Sequence, residues 1–119
     1  MWLYTIHGGF SVVRSRQQPH EVMIRARRRK HLYNLRDAGL LPDTARILTT
    51  DRSDYRHRAI IAAADWPHIA AKLAAEVDYT NFKSTCEEHA GEGRLERSFV
   101  DGLHQIWAIG HRLQGRERR

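Results

Sequence analysis

The chain has 119 residues, of which 41% are hydrophobic and 29% charged, and its formal net charge is +6. These values are typical of one folded globular domain and argue against a disordered chain. No apolar run approaches the ~20 residues that a membrane-spanning helix needs, and the first residues lack the features of a secretory signal. The single cysteine, Cys86, excludes an intramolecular disulfide. We therefore expect a cytoplasmic protein without a membrane partner.

Three strands are predicted in the first 27 residues, because apolar and polar side chains alternate there. Gly8 and Gly9 are typical of a two-residue hairpin turn between the first two strands. The expected strands cover residues 2–7, 10–16 and 21–27. In the third strand one face carries Val22, Ile24 and Ala26, and the other carries Met23, Arg25 and Arg27.

A first helix is predicted over residues 28–38, with Gly39 at the position that commonly ends a helix. Two further strands are expected over residues 45–50 and 55–63, joined by a turn. Asp65 is the expected N-cap of a second helix, with a proline in its first turn.

The remaining sequence is helical in pattern. Asp78 is the expected acceptor for the first backbone amides of a third helix that ends near residue 90. A glycine-containing break separates that helix from a last helix over residues 94–113. We expect residues 1–113 to form one domain and residues 114–119 to be a basic, disordered tail.

The predicted order is β-β-β-α-β-β-α-α-α, which indicates an α+β fold. The third strand through the second helix contain the β-α-β-β-α core of a ferredoxin-like fold. An N-terminal strand can fill the missing position of the antiparallel sheet. The sequence therefore predicts a ferredoxin-like sheet with helices on one face and an additional long C-terminal helix.

Positive charge is concentrated where the third strand leads into the first helix. The chain contains 17 arginines and 3 lysines, and guanidinium groups bind phosphate through two parallel hydrogen bonds. Cations at a helix N-terminus oppose the helix dipole, so stability alone does not favour this placement. The alternative is a solvated charged face with ion pairs to Asp37 or Glu21. The basic block consists of Arg25, Arg27, Arg28, Arg29 and Lys30.

Arginine pairs on other predicted strands extend this pattern. Arg14 and Arg16 share a strand face, as do Arg56 and Arg58. If two such pairs meet on an open sheet face beside Tyr4 or Phe10, they resemble a platform for single-stranded RNA. The alternative is edge-strand charge that prevents aggregation.

Two loop segments supply candidate groove residues. Asp54 and Tyr55 lie at the turn before the fifth strand, where turn chemistry alone explains an aspartate. Asn81 and Lys83 lie at the junction before the third helix, and a capped corner between two helices is the alternative explanation.

The sequence contains no strong catalytic or metal-binding motif. Its eight histidines show no four-ligand zinc spacing, and no phosphate-binding glycine loop or nucleophile elbow is present. We expect no metal and no cofactor. A metal-independent ribonuclease that uses His57 or His7 with Tyr55 is kept as a less favoured alternative.

Several short motifs resemble a small family of uncharacterised bacterial proteins over nearly the whole chain. The most specific is the Asp-Tyr-x-Asn-Phe-Lys element at residues 78–83. The family places two aromatic residues in the first hairpin, where this chain has Gly9-Phe10, which implies different packing there. The resemblance implies one compact domain and no known activity or catalytic set. The other motifs are Met1-Trp2, Gly9-Phe10-Ser11, Arg25-Ala26-Arg27, Asp54-Tyr55 with Arg58, and Trp107 with Arg112-Leu113.

The leading hypothesis is a small domain that binds nucleic acid, RNA or single strands in particular, rather than an enzyme. The basic block contacts phosphates in this hypothesis, and Arg56, Arg58 and Lys83 are second contributors. The alternative is a protein-interaction or regulatory module, including a homodimer, that uses the open sheet face or the last helix.

Overall fold

The computed structural model describes residues 1–115 and residue 117, and it confirms the α+β class. By contacts the chain divides into two compact units, residues 1–78 and 79–119. The expected single domain of residues 1–113 stays a prediction. The strands are β1 (Trp2–Thr5), β2 (Gly8–Arg14), β3 (Glu21–Ala26), β4 (Arg46–Thr49) and β5 (His57–Ala62). The α-helices are α1 (Arg29–Asp37), α2 (Trp66–Ala75), α3 (Phe82–Gly91) and α4 (Arg97–Gln114).

The first unit is built on a five-stranded sheet with the order β1-β2-β3-β5-β4. All neighbouring strands are antiparallel. The helix α1 connects β3 to β4, and β5 lies between these two strands in the sheet. The antiparallel sheet is therefore confirmed, and the ferredoxin-like arrangement stays a prediction.

One face of this sheet is the core of the unit. The alternation in β3 is confirmed, since Val22, Ile24 and Ala26 are buried while the residues between them are not. Leu32 and Leu35 of α1 pack against this face. Burial of these side chains removes apolar surface from water, which is the main stabilising contribution to such a layer.

The first hairpin differs from the prediction. Its turn is Ile6–His7, and Gly8 and Gly9 belong to β2, paired with Thr5 and its neighbour in β1. Gly8 has a φ of +142°, and a Cβ atom there would lie 2.2 Å from the ring of His31. The glycine is thus required by a close approach of α1 and not by the turn.

The predicted end of α1 is confirmed, and the predicted N-cap of α2 differs from the structure. Gly39 follows α1 with a φ of +73°, the left-handed conformation expected of a helix-ending glycine. Asp65 was expected to cap α2, but it closes a short 3₁₀ turn (Ala63–Asp65) and its side chain makes no capping hydrogen bond. The 3₁₀ turn continues directly into the helix and leaves Asp65 in helical geometry.

The second unit contains α3 and α4. Asn81, and not Asp78, caps α3, because the helix begins only at Phe82 and the Asn81 side chain accepts a hydrogen bond from the Ser84 amide. The α4 helix starts at Arg97, three residues later than expected, and includes Gln114 of the expected tail. Residues 116, 118 and 119 of that tail lie outside the described residues.

None of the helices among the described residues combines the length and apolar character needed to cross a bilayer.

Candidate nucleic-acid interface

A row of five residues crosses the sheet on the face opposite the core. The strand registers pair Trp2 with Ser11, Ser11 with Arg25, Arg25 with Arg58, and Arg58 with Leu48. Cross-strand partners lie on the same sheet face, so the row spans all five strands, or about 19 Å at ~4.8 Å per strand. We call the surface formed by Trp2, Tyr4, Ser11, Arg25 and Arg58 the arginine face.

Arg25 is held at the centre of this face. Its terminal nitrogen donates a hydrogen bond to the hydroxyl of Ser11 at 2.7 Å, and its guanidinium lies 4.8 Å from the centre of the Tyr55 ring. The Nε atom of Arg25 is buried and has no partner among the described residues. A buried donor without a partner is costly, so this nitrogen is a local cost to the stability of the first unit.

The Tyr55 ring also contacts Arg27, whose guanidinium lies 4.0 Å from the ring centre. Stacking on an aromatic ring leaves the in-plane N–H groups of a guanidinium able to donate hydrogen bonds. Arg27 has one ion pair, to Asp54 at 3.5 Å, and both side chains are more than half exposed (58% and 80%). Such an exposed pair is weak, and most of the Arg27 charge stays available to an anion.

Arg58 lies opposite Arg25 in the neighbouring strand and donates a hydrogen bond to the Thr50 hydroxyl at 2.8 Å. Both arginines are half-buried. Within the described residues neither makes an ion pair. Like charges directly opposite each other destabilise a sheet, so the pair is a local cost that an anion would remove.

The rest of the basic block continues around the end of the sheet. Arg28 is exposed and extended just before α1, and Arg29 donates a hydrogen bond to the Thr49 hydroxyl at 3.4 Å. The first turn of α1 contains no acidic residue. Of the two acids considered as ion-pair partners of this block, Glu21 pairs with Arg46 at 3.7 Å. Lys30 is exposed in the same first turn of α1.

His57 lies near two arginines at this end of the sheet, and its pKa is lowered. Its pKa lies below the ordinary value of 6.5, first because the ring is partly buried and then because Arg29 and Arg56 lie near it. Asp51 acts in the opposite direction and does not reverse the shift. The exposed Arg56 thus adds to the positive field at this end of the sheet.

Two exposed aromatic side chains flank the arginines. Trp2 is 73% exposed and Tyr4 is 43% exposed on β1. Phe10, the other aromatic candidate, is buried in the core at 4% exposure, because it alternates with Ser11 along β2. Arg14 lies on the Phe10 side of β2 and donates a hydrogen bond to the Pro19 carbonyl. The expected pair of Arg14 and Arg16 therefore does not join the arginine face.

The remaining candidates belong to the second unit and have local roles. Asn81 caps α3. The Lys83 ammonium lies 4.0 Å from the ring centre of Trp107. The capped corner considered in the sequence analysis therefore describes this segment.

The histidines of the alternative ribonuclease site have partners of their own, and that alternative stays a prediction. His7 hydrogen-bonds the Glu76 carboxylate at 2.7 Å, and His57 hydrogen-bonds the Thr49 hydroxyl at 2.9 Å. Among the described residues, no hydrogen bond joins either histidine to Tyr55, and no group of three or more metal-ligating side chains is found.

Sequence reasoning missed three members of the site. Ser11 and Thr50 orient the arginines, and Trp2 forms one end of the row. The alternation in β1 already placed Trp2 and Tyr4 on one face, which is the signal that identifies them. No sequence signal marks Ser11 or Thr50, because their roles depend on strand register.

Comparison with known proteins finds no protein-family model, no curated protein and no solved structure that matches this chain. The resemblance to uncharacterised bacterial proteins therefore stays a prediction, and the functional assignment depends on the geometry of the site.

Proposed function

We propose that the protein binds single-stranded nucleic acid, RNA in particular, on the arginine face. The observation that carries this proposal is the half-buried pair of Arg25 and Arg58, which lacks carboxylate partners among the described residues and lies in one row with the exposed Trp2. In this reading phosphates contact the guanidinium groups, and bases stack on the aromatic rings.

The partners of the arginines support an anionic ligand. Arg25 and Arg58 are oriented by hydroxyl groups, and Arg27 by the Tyr55 ring. Hydroxyl and aromatic partners fix the direction of a guanidinium without neutralising its charge. A phosphate in this position would be held by hydrogen bonds to charged donors, which are roughly twice as strong as neutral ones.

The shape of the face favours single strands over duplexes. Base stacking on Trp2 and Tyr4 requires unpaired bases, because the bases of a duplex already stack on each other. The row lies on strands rather than on a projecting helix, and sheets with exposed aromatic side chains are a common platform for unpaired RNA.

Fluorescence polarisation tests the proposal. A labelled single-stranded RNA of about 10 nucleotides, within the usual site size of such platforms, is titrated beside the matching RNA duplex and duplex DNA. With three phosphate contacts the affinity should fall about 18-fold between about 50 and 200 mM salt. The single strand should bind more tightly than either duplex at both salt concentrations.

A charge-reversed variant locates the binding. Arg28→Glu with Arg29→Glu should weaken binding uniformly across RNA sequences and reduce the salt dependence. The control is Arg94→Glu with Arg97→Glu, which makes the same change of charge in the second unit. Absence of binding at low salt, or equal loss in both variants, would overturn the proposal.

The ferredoxin-like arrangement is part of this proposal. The order β2-β3-β5-β4 and the connection through α1 support it, with β2 in the position that the N-terminal strand was expected to fill. A ferredoxin-like arrangement keeps α1 and α2 on one sheet face, and the proposed function requires the other face to be accessible. The expected cytoplasmic location also stays a prediction.

A further inference from the structure

The C-terminal half of α4 carries apolar side chains that the described residues do not cover. In the first half of this 18-residue helix, Val100 and Leu103 are buried. In the second half Ile106, Ile109 and Leu113 are 44%, 52% and 62% exposed. Since α3 has only 10 residues, it is too short to cover the whole of α4.

The exposed side chains follow the spacing of a coiled-coil seam. Ile106 and Leu113 are seven residues apart, and Ile109 lies three residues after Ile106. Gly102 lies seven residues before Ile109 and continues the same seam. A repeat of this kind places side chains on one narrow stripe that another helix can cover. We call Gly102, Ile106, Ile109 and Leu113 the α4 seam.

One glycine lies on the α4 seam. A glycine inside a helix costs about 1 kcal/mol relative to alanine. A Cβ atom at Gly102 would meet nothing within 4 Å, so contacts within the described chain do not require glycine at this position. A second helix packed closely on the seam would favour a small residue there.

Charge favours an antiparallel second copy. By sequence, residues 79–101 carry a net charge of −2 and residues 102–115 a net charge of +1. A second copy in the antiparallel direction places the acidic end of one α3–α4 unit beside the basic end of the other. A parallel second copy places like charges together, which costs energy.

We infer that α4 pairs with α4 of a second copy of this chain in an antiparallel coiled coil. In the register given by the heptad spacing, Ile106 packs against Ile109 of the second copy, and Leu113 lies over Gly102 of the second copy. A large side chain opposite a glycine fills the space that the glycine leaves. The buried cluster of Cys86, Leu95, Val100 and Leu103 is small, and pairing extends it.

Sedimentation velocity on the full chain, without nucleic acid, tests the inference. Over about 5 to 200 µM protein, a range that covers micromolar dissociation constants, the weight-average mass should rise from one chain toward two. Ile109→Glu should shift the association to at least tenfold higher concentration. His111→Glu, the same change of charge on the opposite side of α4, should leave the association unchanged.

Cross-linking tests the direction of pairing. Gly102→Cys and Leu113→Cys are prepared as separate variants, since the native Cys86 is buried. In the antiparallel register a mixture forms the mixed disulfide, and neither variant cross-links with itself, because like positions are about 16 Å apart along the helix. Self-cross-linking of either variant would contradict the antiparallel pairing.

Besides self-cross-linking, three outcomes overturn the inference. The chain stays monomeric at all concentrations, Ile109→Glu associates like the unchanged chain, or the monomer binds vesicles of anionic phospholipid through the α4 seam. RNA binding by the arginine face does not enter these measurements, so this inference and the proposed function fail independently.

Discussion

Arg97 in the second unit and the pair of Arg25 and Arg58 in the first unit have opposite kinds of partner. In the second unit Arg97 bonds the Glu87 carboxylate at 2.6 and 2.8 Å and also reaches Asp101 at 3.2 Å. In the first unit Arg25 and Arg58 bond hydroxyl groups instead. By sequence the net charge is +5 for residues 1–78 and +1 for residues 79–119.

The difference shows that the role of an arginine is better inferred from the group it bonds than from how many arginines a unit contains. A carboxylate neutralises the guanidinium and ties two helices together, which serves the fold. A hydroxyl or an aromatic ring orients the guanidinium and leaves its charge for a ligand. The first unit therefore keeps positive charge in a half-buried place, where an unpaired charge costs stability.

The largest expected effect is on RNA affinity, when the two arginines without carboxylate partners are replaced. Arg25→Gln with Arg58→Gln should weaken binding of single-stranded RNA by about 100-fold, since a hydrogen bond to a charged group contributes about 1.5–3 kcal/mol. Fluorescence polarisation at constant salt measures the loss. Arg94→Gln with Arg97→Gln removes the same charge from the second unit and should change affinity little. Equal losses in both variants would mean that only total charge matters.

Trp2 in the first unit and Trp107 in the second unit should differ in their effect on RNA affinity. Trp2→Ala should weaken RNA binding about tenfold, because stacking of one base on an aromatic ring contributes roughly 1–3 kcal/mol. Trp107 is also exposed, at 53%, but it stacks on His111 within α4. Trp107→Ala should leave RNA affinity unchanged. The idea of a stacking platform on β1 fails if the two variants bind RNA alike.

Acid should act on the second unit through Glu87. Hydrogen bonds from Arg97 and His104 lower the pKa of Glu87 from 4.5 to about 2. The folded pKa is below the unfolded value, so the stabilisation is fully present above pH 4.5 and is lost as the pH falls toward 2. Thermal unfolding followed by circular dichroism should show a lower midpoint at pH 3 than at pH 6.

Glu87→Gln should lower the midpoint at pH 6 and reduce its change toward pH 3. The control is Glu88→Gln, the same substitution at the adjacent exposed position, which should preserve the pH dependence. A pH dependence unchanged by Glu87→Gln would show that the carboxylate network does not stabilise the second unit.

The smallest expected effect is on the free energy of unfolding, which should change in opposite directions when Arg58 or Arg97 is replaced. Arg58→Gln relieves the like-charge pair with Arg25 and should raise the free energy of unfolding by about 0.5 kcal/mol, while it weakens RNA binding. Arg97→Gln should lower stability and leave RNA binding unchanged. Chemical denaturation of both variants measures the two signs. A clear loss of stability in Arg58→Gln would assign that arginine a structural role.

Periodicity predicted most of the fold, because strand alternation is a local property. It placed all five strands and put Arg25 and Arg27 on the face opposite Ile24. The Gly8-Gly9 turn was wrong, since Gly8 is required by the ring of His31, which is distant in sequence. The cap of α3 was also misplaced, because Asp78, Asn81 and the residues between them offer several local starts.

The candidate site was only partly predictable. The basic block is visible in the sequence, and strand alternation predicts that Arg25 and Arg27 lie on the same face. The contact of both with Tyr55, and the position of Arg58 opposite Arg25, depend on which strands are neighbours and in which register. Those facts belong to the assembled sheet, and no local pattern contains them.

One NMR titration tests the central claim most directly. The indole N–H signals of Trp2 and Trp107 report on the two units, and the Nε–H signals of Arg25, Arg58 and Arg97 report on the two classes of arginine. Single-stranded RNA is added at constant protein concentration and low salt. We expect the signals of Trp2, Arg25 and Arg58 to shift and those of Trp107 and Arg97 to stay in place. Shifts confined to the second unit, or no shifts at all, would contradict the account.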